Sequence, residues 1–204
     1  MNKQLIVDYI PFQVNAQQIN ESMQTNNGRL IVKGTLQRAD AKNQNGRVYP
    51  RPILEREASK YNGTFVKERR ALGELDHPDS NVVNLNNVSH NVLEMHWDGD
   101  DLTGTVEVLS TPSGNILKEL FKSGIRLGIS SRGMGSVKEV MSEDGSSRLL
   151  QVQPDFELIA FDFVSNPSTH GAFLNPVNES AGAKSNVDPY LSINRLITNI
   201  IKEF

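Results

Sequence analysis

Four histidines, His77, His90, His96 and His170, are the side chains of this 204-residue sequence best able to move a proton near neutral pH. His77 has the most distinctive setting. It lies in Gly73-Glu74-Leu75-Asp76-His77-Pro78, between a conformationally free glycine and a proline, a context that fixes a side chain at the end of an element. The alternative is a surface turn in which Asp76 and His77 bond only the local backbone. His90 and His96 alternate in and out of an expected strand, and no ligand spacing pairs them with Asp76 or His77. No metal and no cofactor is expected.

A second unusual stretch is Gly128-Ile129-Ser130-Ser131-Arg132-Gly133-Met134-Gly135, where small residues appear abruptly after an apolar run. A serine just past a strand end, with glycine two positions on, can project its hydroxyl beside accessible backbone amides, as acyl transfer requires. A Gly/Ser turn or an anion cradle is the other reading, and no Gly-Lys-Ser/Thr follows to make it a phosphate loop. The third stretch is Leu158-Ile159-Ala160-Phe161-Asp162-Phe163-Val164. A lone carboxylate in an apolar strand is costly unless paired, and Asp162 is suited to holding an imidazole in one tautomer. It could instead bond backbone amides of the Ser165-Asn166-Pro167-Ser168 turn. Glu157 is the second choice for the acid, although its parity puts it on the opposite face from Asp162.

The elements that must position these groups follow from local patterns. Residues 1–28 contain a short apolar piece broken by Pro11 and an Asn/Gln-rich stretch, a composition expected to form a flexible arm. Order is expected from Arg29 onward, with a strand over residues 30–36, a turn at Asn45-Gly46 and a short helix after Pro52. Two hairpins are expected, residues 88–97 with 102–109 around Asp98-Gly99-Asp100-Asp101, and residues 137–141 with 149–152. Between them Thr111-Pro112 opens a helix with an apolar stripe at Ile116, Leu117, Leu120 and Phe121, ended by Gly124. Residues 156–164 form the most apolar strand. Residues 175–188 read as a linker, followed by an amphipathic helix carrying Ile193, Leu196, Ile197, Ile200 and Ile201. The class is α+β, mainly an antiparallel, twisted or barrel-like sheet with flanking helices. Its divisions are 1–28, 29–175 and 176–204.

Composition narrows the function further. Lys plus Arg number 21 against 24 Asp plus Glu, a formal charge of −3, so no basic face dedicated to nucleic acid is expected. Cysteine is absent, which excludes a disulfide scaffold, a thiolate metal site and a cysteine nucleophile. No apolar run approaches the ~18 residues that cross a bilayer, and no secretory signal is read at the N-terminus.

At these residues the sequence resembles the prohead core protein proteases of T4-like tailed phages, enzymes similar in fold to the herpesvirus assembly protease. Four segments carry the likeness in the same order: Asn45-Gly46-Arg47-Val48-Tyr49-Pro50, the Gly73–Pro78 turn, Gly128–Gly133, and Asp162-Phe163-Val164-Ser165-Asn166-Pro167-Ser168. The resemblance implies a serine endopeptidase of phage head maturation acting inside the prohead in the host cytoplasm. Its implied substrates are scaffold, core and major capsid proteins, with self-association of the enzyme. Carried over by position, His77 is the general base, Ser131 the nucleophile and Asp162 the third member. Ser131 is preferred to Ser130 for its Ser-x-Gly spacing, which requires a kink after Ile129 to turn it toward the cleft. Amides around Arg132 and Gly133 are the expected oxyanion donors.

The resemblance also implies cleavage after glutamate with Ile or Leu two residues before. Ile19-Asn20-Glu21-Ser22 and Ile201-Lys202-Glu203-Phe204 fit that pattern and Val177-Asn178-Glu179-Ser180 fits it more loosely; self-cleavage is expected after Glu21, with Glu179 the second candidate. A glutamate pocket needs a cation, for which Arg132, Arg126, Lys122 and Arg47 are available. The rival readings are a non-catalytic assembly module of related fold and an esterase, the latter lacking a Gly-x-Ser-x-Gly elbow.

Overall fold

Strand alternation and helix punctuation divide the chain as most of the local patterns suggest. The computed structural model describes residues 3–12, 16–142, 145, 147–165 and 175–176. In chain order it contains β1 (Gln4–Phe12), α1 (Ala16–Thr25), β2 (Leu30–Arg38), β3 (Arg47–Val48), α2 (Arg51–Tyr61), β4 (Leu72–Glu74), β5 (Val88–Asp98) and β6 (Asp101–Val108). There follow α3 (Pro112–Lys122), β7 (Leu127–Gly135), β8 (Val137–Met141), β9 (Arg148–Val152), β10 (Glu157–Val164) and β11 (Asn175–Pro176). α3 begins where expected because the Thr111 hydroxyl accepts the Gly114 amide at 3.0 Å, and Gly124 beyond its end takes φ +73°. Both expected hairpins form, β5–β6 and β8–β9.

The strands lie in three sheets with orders β1-β7-β10, β11-β2-β6-β5-β4 and β3-β9-β8. The first two meet where Leu75 bridges Phe163 and the Asp76 amide donates to the Phe163 carbonyl at 2.8 Å. The class is therefore α+β and mainly antiparallel, with the described strands wrapping rather than closing into a barrel. The core between the sheets is filled by Leu30, Val32, Leu36, Val106, Phe121, Ile129, Phe161 and Phe163, with α2 adding Leu54, Ala58 and Tyr61. No helix among the described residues is long and apolar enough to cross a membrane.

Two expectations change. The segment expected to be a flexible arm is part of the fold. β1 pairs with β7 from Gln4↔Gly135 to Phe12↔Leu127, and Ile6 and Ile19 are fully buried. The average composition of residues 1–28 hid two periodicities. Ile19, Ser22, Met23 and Asn26 share one helical stripe, and its polar members are bonded. The Ser22 hydroxyl donates to the Ile31 carbonyl at 2.9 Å, and the Asn26 side chain donates to the Ser22 carbonyl at 2.7 Å. Glu21 consequently sits in α1, not on extended backbone. The linker and C-terminal helix expected over 176–204, with Glu179 and Glu203, lie outside the described residues apart from Pro176. The second change is that β7 does not end at Ile129. It runs unbroken through both serines to Gly135, with β1 on one side and β10 on the other.

Candidate active site

β7 decides which side chains meet. Its neighbours alternate across the sheet, so Ser130 and Arg132 leave one face and Ser131 the other. On β10 the register pairs Asp162 with Ser130 and Phe161 with Ser131. Directly opposed residues of an antiparallel pair point the same way with Cα atoms about 5 Å apart. Asp162 and Ser130 therefore share a face.

His77 is brought to that face by β4 and the turn after it. Gly73 serves here by its size, not by freedom of φ. A Cβ at this position would lie 1.9 Å from the Phe161 carbonyl and 2.3 Å from His90 Nε2, so only glycine lets β4 pass this close to β10. The left-handed residue of the turn is Asp76, at φ +68°, a conformation that aspartate tolerates better than most residues. Its Oδ1 accepts the His77 amide at 2.9 Å and its own amide is tied to Phe163. The reversed chain sets His77 Nδ1 2.9 Å from Asp162 Oδ2.

Asp162 is wholly buried and saturated. Besides His77 it accepts the Glu74 amide at 3.0 Å and Arg132 Nη2 at 3.2 Å on Oδ1, while Arg132 Nε lies 2.9 Å from Oδ2. A carboxylate held by a guanidinium only accepts, so the imidazole carries its proton on Nδ1 and leaves the Nε2 lone pair facing away from the acid. That is the tautomer a base needs to deprotonate an alcohol. Ser130 is fully buried beside this pair, and the His77 side chain keeps 10 % of its surface exposed.

The opposite face holds Ser131 in a different polar cluster. The Ser131 hydroxyl accepts Gln37 Nε2 at 2.8 Å and also bonds Tyr49. The Tyr49 hydroxyl donates to the buried Asp8 carboxylate, which Asn45 Nδ2 reaches at 2.9 Å and Arg47 Nη1 at 3.1 Å. Burial raises the Asp8 carboxyl above its ordinary value against the opposing pull of Arg47 and its hydrogen bonds, and burial beside Asp8 raises the Tyr49 phenol well above 10. Gln37 points inward because β2 carries a bulge between Thr35 and Gln37, which buries Leu36 and Gln37 in succession.

The structure thus brings His77 and Asp162 together and separates them from Ser131. No kink follows Ile129, so Ser130 takes the place on their face. Glu157, the second choice for the acid, is exposed at the start of β10 and pairs with Lys3 at 3.1 Å. Arg132 and Gly133 lie within β7 between β1 and β10, opposite a bulge of β10 between Leu158 and Ala160. Of the four cations considered for a glutamate pocket, Arg132 is buried against Glu74 and Asp162, Arg47 is bound to Asp8 and Lys122 pairs with Glu119 at 2.7 Å; Arg126 is exposed just before β7. His90 is buried, with Nε2 2.8 Å from the Phe161 carbonyl, and burial pushes it down to about 4. His96 is exposed, and His170 lies outside the described residues. Among the described residues no group of three or more His, Asp or Glu is placed to hold a metal. Glu74, Gln37, Asp8 and Tyr49 have structural roles that single-residue reading missed. The available signal was a buried-strand arginine, Arg132, that needed carboxylate partners.

The likeness noted in the sequence extends to whole-chain comparison. The prohead core protein serine protease family matches over residues 3–182, which includes β1 and α1. The prohead core protein protease of enterobacteria phage T4 is 30 % identical over 172 residues, 80 % of this chain and 79 % of that protein. The solved structure of the bacteriophage T4 capsid assembly protease superposes with a TM-score of 0.67 at 27 % identity, covering 81 % of this chain and all of that one. The chain belongs to the prohead core protein serine proteases.

Proposed function

We propose that this phage assembly protease cuts by a Ser130–His77–Asp162 mechanism, after glutamate in Ile/Leu-x-Glu segments of scaffold, core and major capsid proteins inside the prohead in the host cell. The observation that carries the site assignment is the register of β10 on β7, which sets Ser130 across from the carboxylate that already holds His77. In the first half-reaction His77 Nε2 takes the Ser130 hydroxyl proton as Oγ bonds to the scissile carbonyl carbon. The proton then passes to the departing amine as the C–N bond breaks. Water repeats the sequence on the acyl-enzyme and restores the serine. Asp162 stays ionised throughout and stabilises the imidazolium. Ser130 and Asp162 are enclosed, so peptide entry needs movement of the segments that cover them.

The glutamate preference rests on the family resemblance, and the prohead substrates on that resemblance and on the likeness to the T4 prohead core protein protease. Self-cleavage after Glu21 would require local unwinding of α1, where that residue sits. Confinement within the prohead favours self-association of the protease, and neither nucleic acid nor membrane is assigned as a partner.

The test is cleavage of a peptide containing Ile-x-Glu, read by mass spectrometry beside its Ile-x-Gln counterpart. Wild type should cut only the first, immediately after glutamate, and Ser130→Ala should cut neither. Equal cutting of both peptides would remove the glutamate assignment. Cutting by the Ser130→Ala protein would remove the mechanism.

A further inference from the structure

Arg132 and Glu74 are both fully buried, and nothing in the proton transfer just described uses them. The contacts of Arg132 are local. Nη2 reaches Glu74 Oε1 at 2.9 Å and Asp162 Oδ1 at 3.2 Å, Nε lies 2.9 Å from Asp162 Oδ2, and Nη1 donates to the Ser80 carbonyl at 2.9 Å. Glu74 Oε1 also accepts the Asn84 amide at 2.9 Å. Its other oxygen is buried and has no hydrogen-bond partner among the described residues. The chain from Leu75 to Asn84, which carries His77, is therefore pinned at both ends to this pair and to Asp162.

Stability alone is a poor reason for such a group. Burying an ion pair removes hydration that its Coulomb attraction barely restores, and well-packed apolar residues often do as well. Charge balance supplies another reason. Two carboxylates face one guanidinium, so with His77 neutral the buried group has one negative charge in excess. Protonation of His77 brings it to zero. The charge is least balanced in the resting enzyme and balanced once Ser130 has given up its proton, a differential that lowers the barrier.

We propose that Glu74, held by Arg132, is a positioning residue that keeps the excess negative charge next to His77 and fixes the loop on which His77 stands. The inference rests on the Ser130–His77–Asp162 reading. Other charged or titratable groups facing this region are Asp76 and Asp79 on the same loop, exposed to water, and the neutral, buried His90 and Tyr61 across the sheet, both within the field of Asp162. Glu57 of α2 is also buried, but its carboxylate accepts the Leu158 amide at 3.0 Å and pairs with Arg56, whereas Glu74 and Asp162 are the carboxylates in contact with Arg132.

The test is the titration of His77 by NMR in the full chain, with Ser130→Ala as background so that self-cleavage cannot interfere. Glu74→Gln keeps the size and an acceptor for Arg132 and Asn84 while removing the charge. It should lower the His77 midpoint by about one pH unit. In active enzyme it should lower kcat by about 10- to 100-fold with KM within about threefold, and move the acidic limb of kcat/KM to lower pH by the same amount. Glu74→Gln combined with Arg132→Gln restores the single excess charge and should return the midpoint to the wild-type value. Should the single variant fail to fold, Glu74→Asp keeps the charge on a shorter arm, and there kcat should fall with the midpoint unmoved. An unshifted midpoint in folded Glu74→Gln overturns the proposal, as does a double variant titrating like the single one or a shifted midpoint in Glu74→Asp. Peptide cleavage by Ser130→Ala would instead overturn the underlying reading, which the titration of His77 does not depend on.

Discussion

Ser130 and Ser131 are adjacent, chemically identical and equally buried, yet β7 sends them to regions with opposite electrostatic designs. On the Ser130 face every partner of the acid stabilises its charged form: a guanidinium, a backbone amide and an imidazole N–H converge on Asp162. On the Ser131 face the hydroxyl sits in a network of amide, phenol and carboxylate that shares hydrogens among its members, and burial raises both the Asp8 carboxyl and the Tyr49 phenol. An imidazole oriented by a carboxylate belongs, of these two regions, to the first. In a continuous strand, parity outranks local spacing. The Ser-x-Gly pattern points to Ser131, and a one-residue step changes the chemistry available.

The largest effect that can break this contrast is on turnover. Ser130→Ala should lower peptide cleavage by about 10⁴-fold or more, while Ser131→Ala should leave the rate within about threefold. A reversed pattern, read in a timed digest, would put the nucleophile on the core face.

Stability should show the opposite ranking. Ser131→Ala strands the Gln37 donor, and Tyr49→Phe removes a hydrogen bond to the Asp8 carboxylate. Each should cost about 1–3 kcal/mol in urea unfolding with catalysis retained by the folded fraction. Ser130→Ala should cost less than either, because among the described residues its hydroxyl makes a long 3.4 Å contact with the Ser131 carbonyl. Equal losses in all three variants would erase the difference between the faces.

The smallest effect concerns acid. His90 lies on the core side, its ring 4.7 Å from that of Phe163, with a folded value near 4 against about 6.5 when unfolded. Between those values the unfolded chain binds a proton that the folded chain does not, so stability falls as pH drops from about 6.5 toward 4. Asp8 acts with the opposite sign. Its raised folded value makes the folded chain bind its proton first, so acidification through that value favours folding. His90→Gln should flatten the decline between pH 6.5 and 4 in thermal melts; an unchanged slope would assign it to other groups.

Much of the fold was legible because its signals are local. Thr111 and Gly124 bracket α3 by capping chemistry, and Asp98-Gly99 turns one hairpin. β1 and α1 were hidden because their burial depends on distant partners: Ile6 on the wrapped sheets and Ser22 on Ile31. In the site, His77 and Asp162 stood out, one as a turn histidine before proline and the other as a carboxylate in an apolar strand. The choice between serines could not be read locally, since it depends on whether β7 ends at Ile129, and that is decided by the pairing of β1 and β10 on either side. Gly73 is required for its lack of a side chain, not for its freedom of φ. Its neighbours across the fold, Phe161 and His90, explain it, and no sequence window contains them.

The most direct test is covalent. A fluorophosphonate reagent added to active enzyme, followed by peptide mapping, should modify Ser130 alone, and the label should vanish in His77→Ala. Modification of Ser131, or labelling of Ser130 that survives loss of His77, would contradict the account.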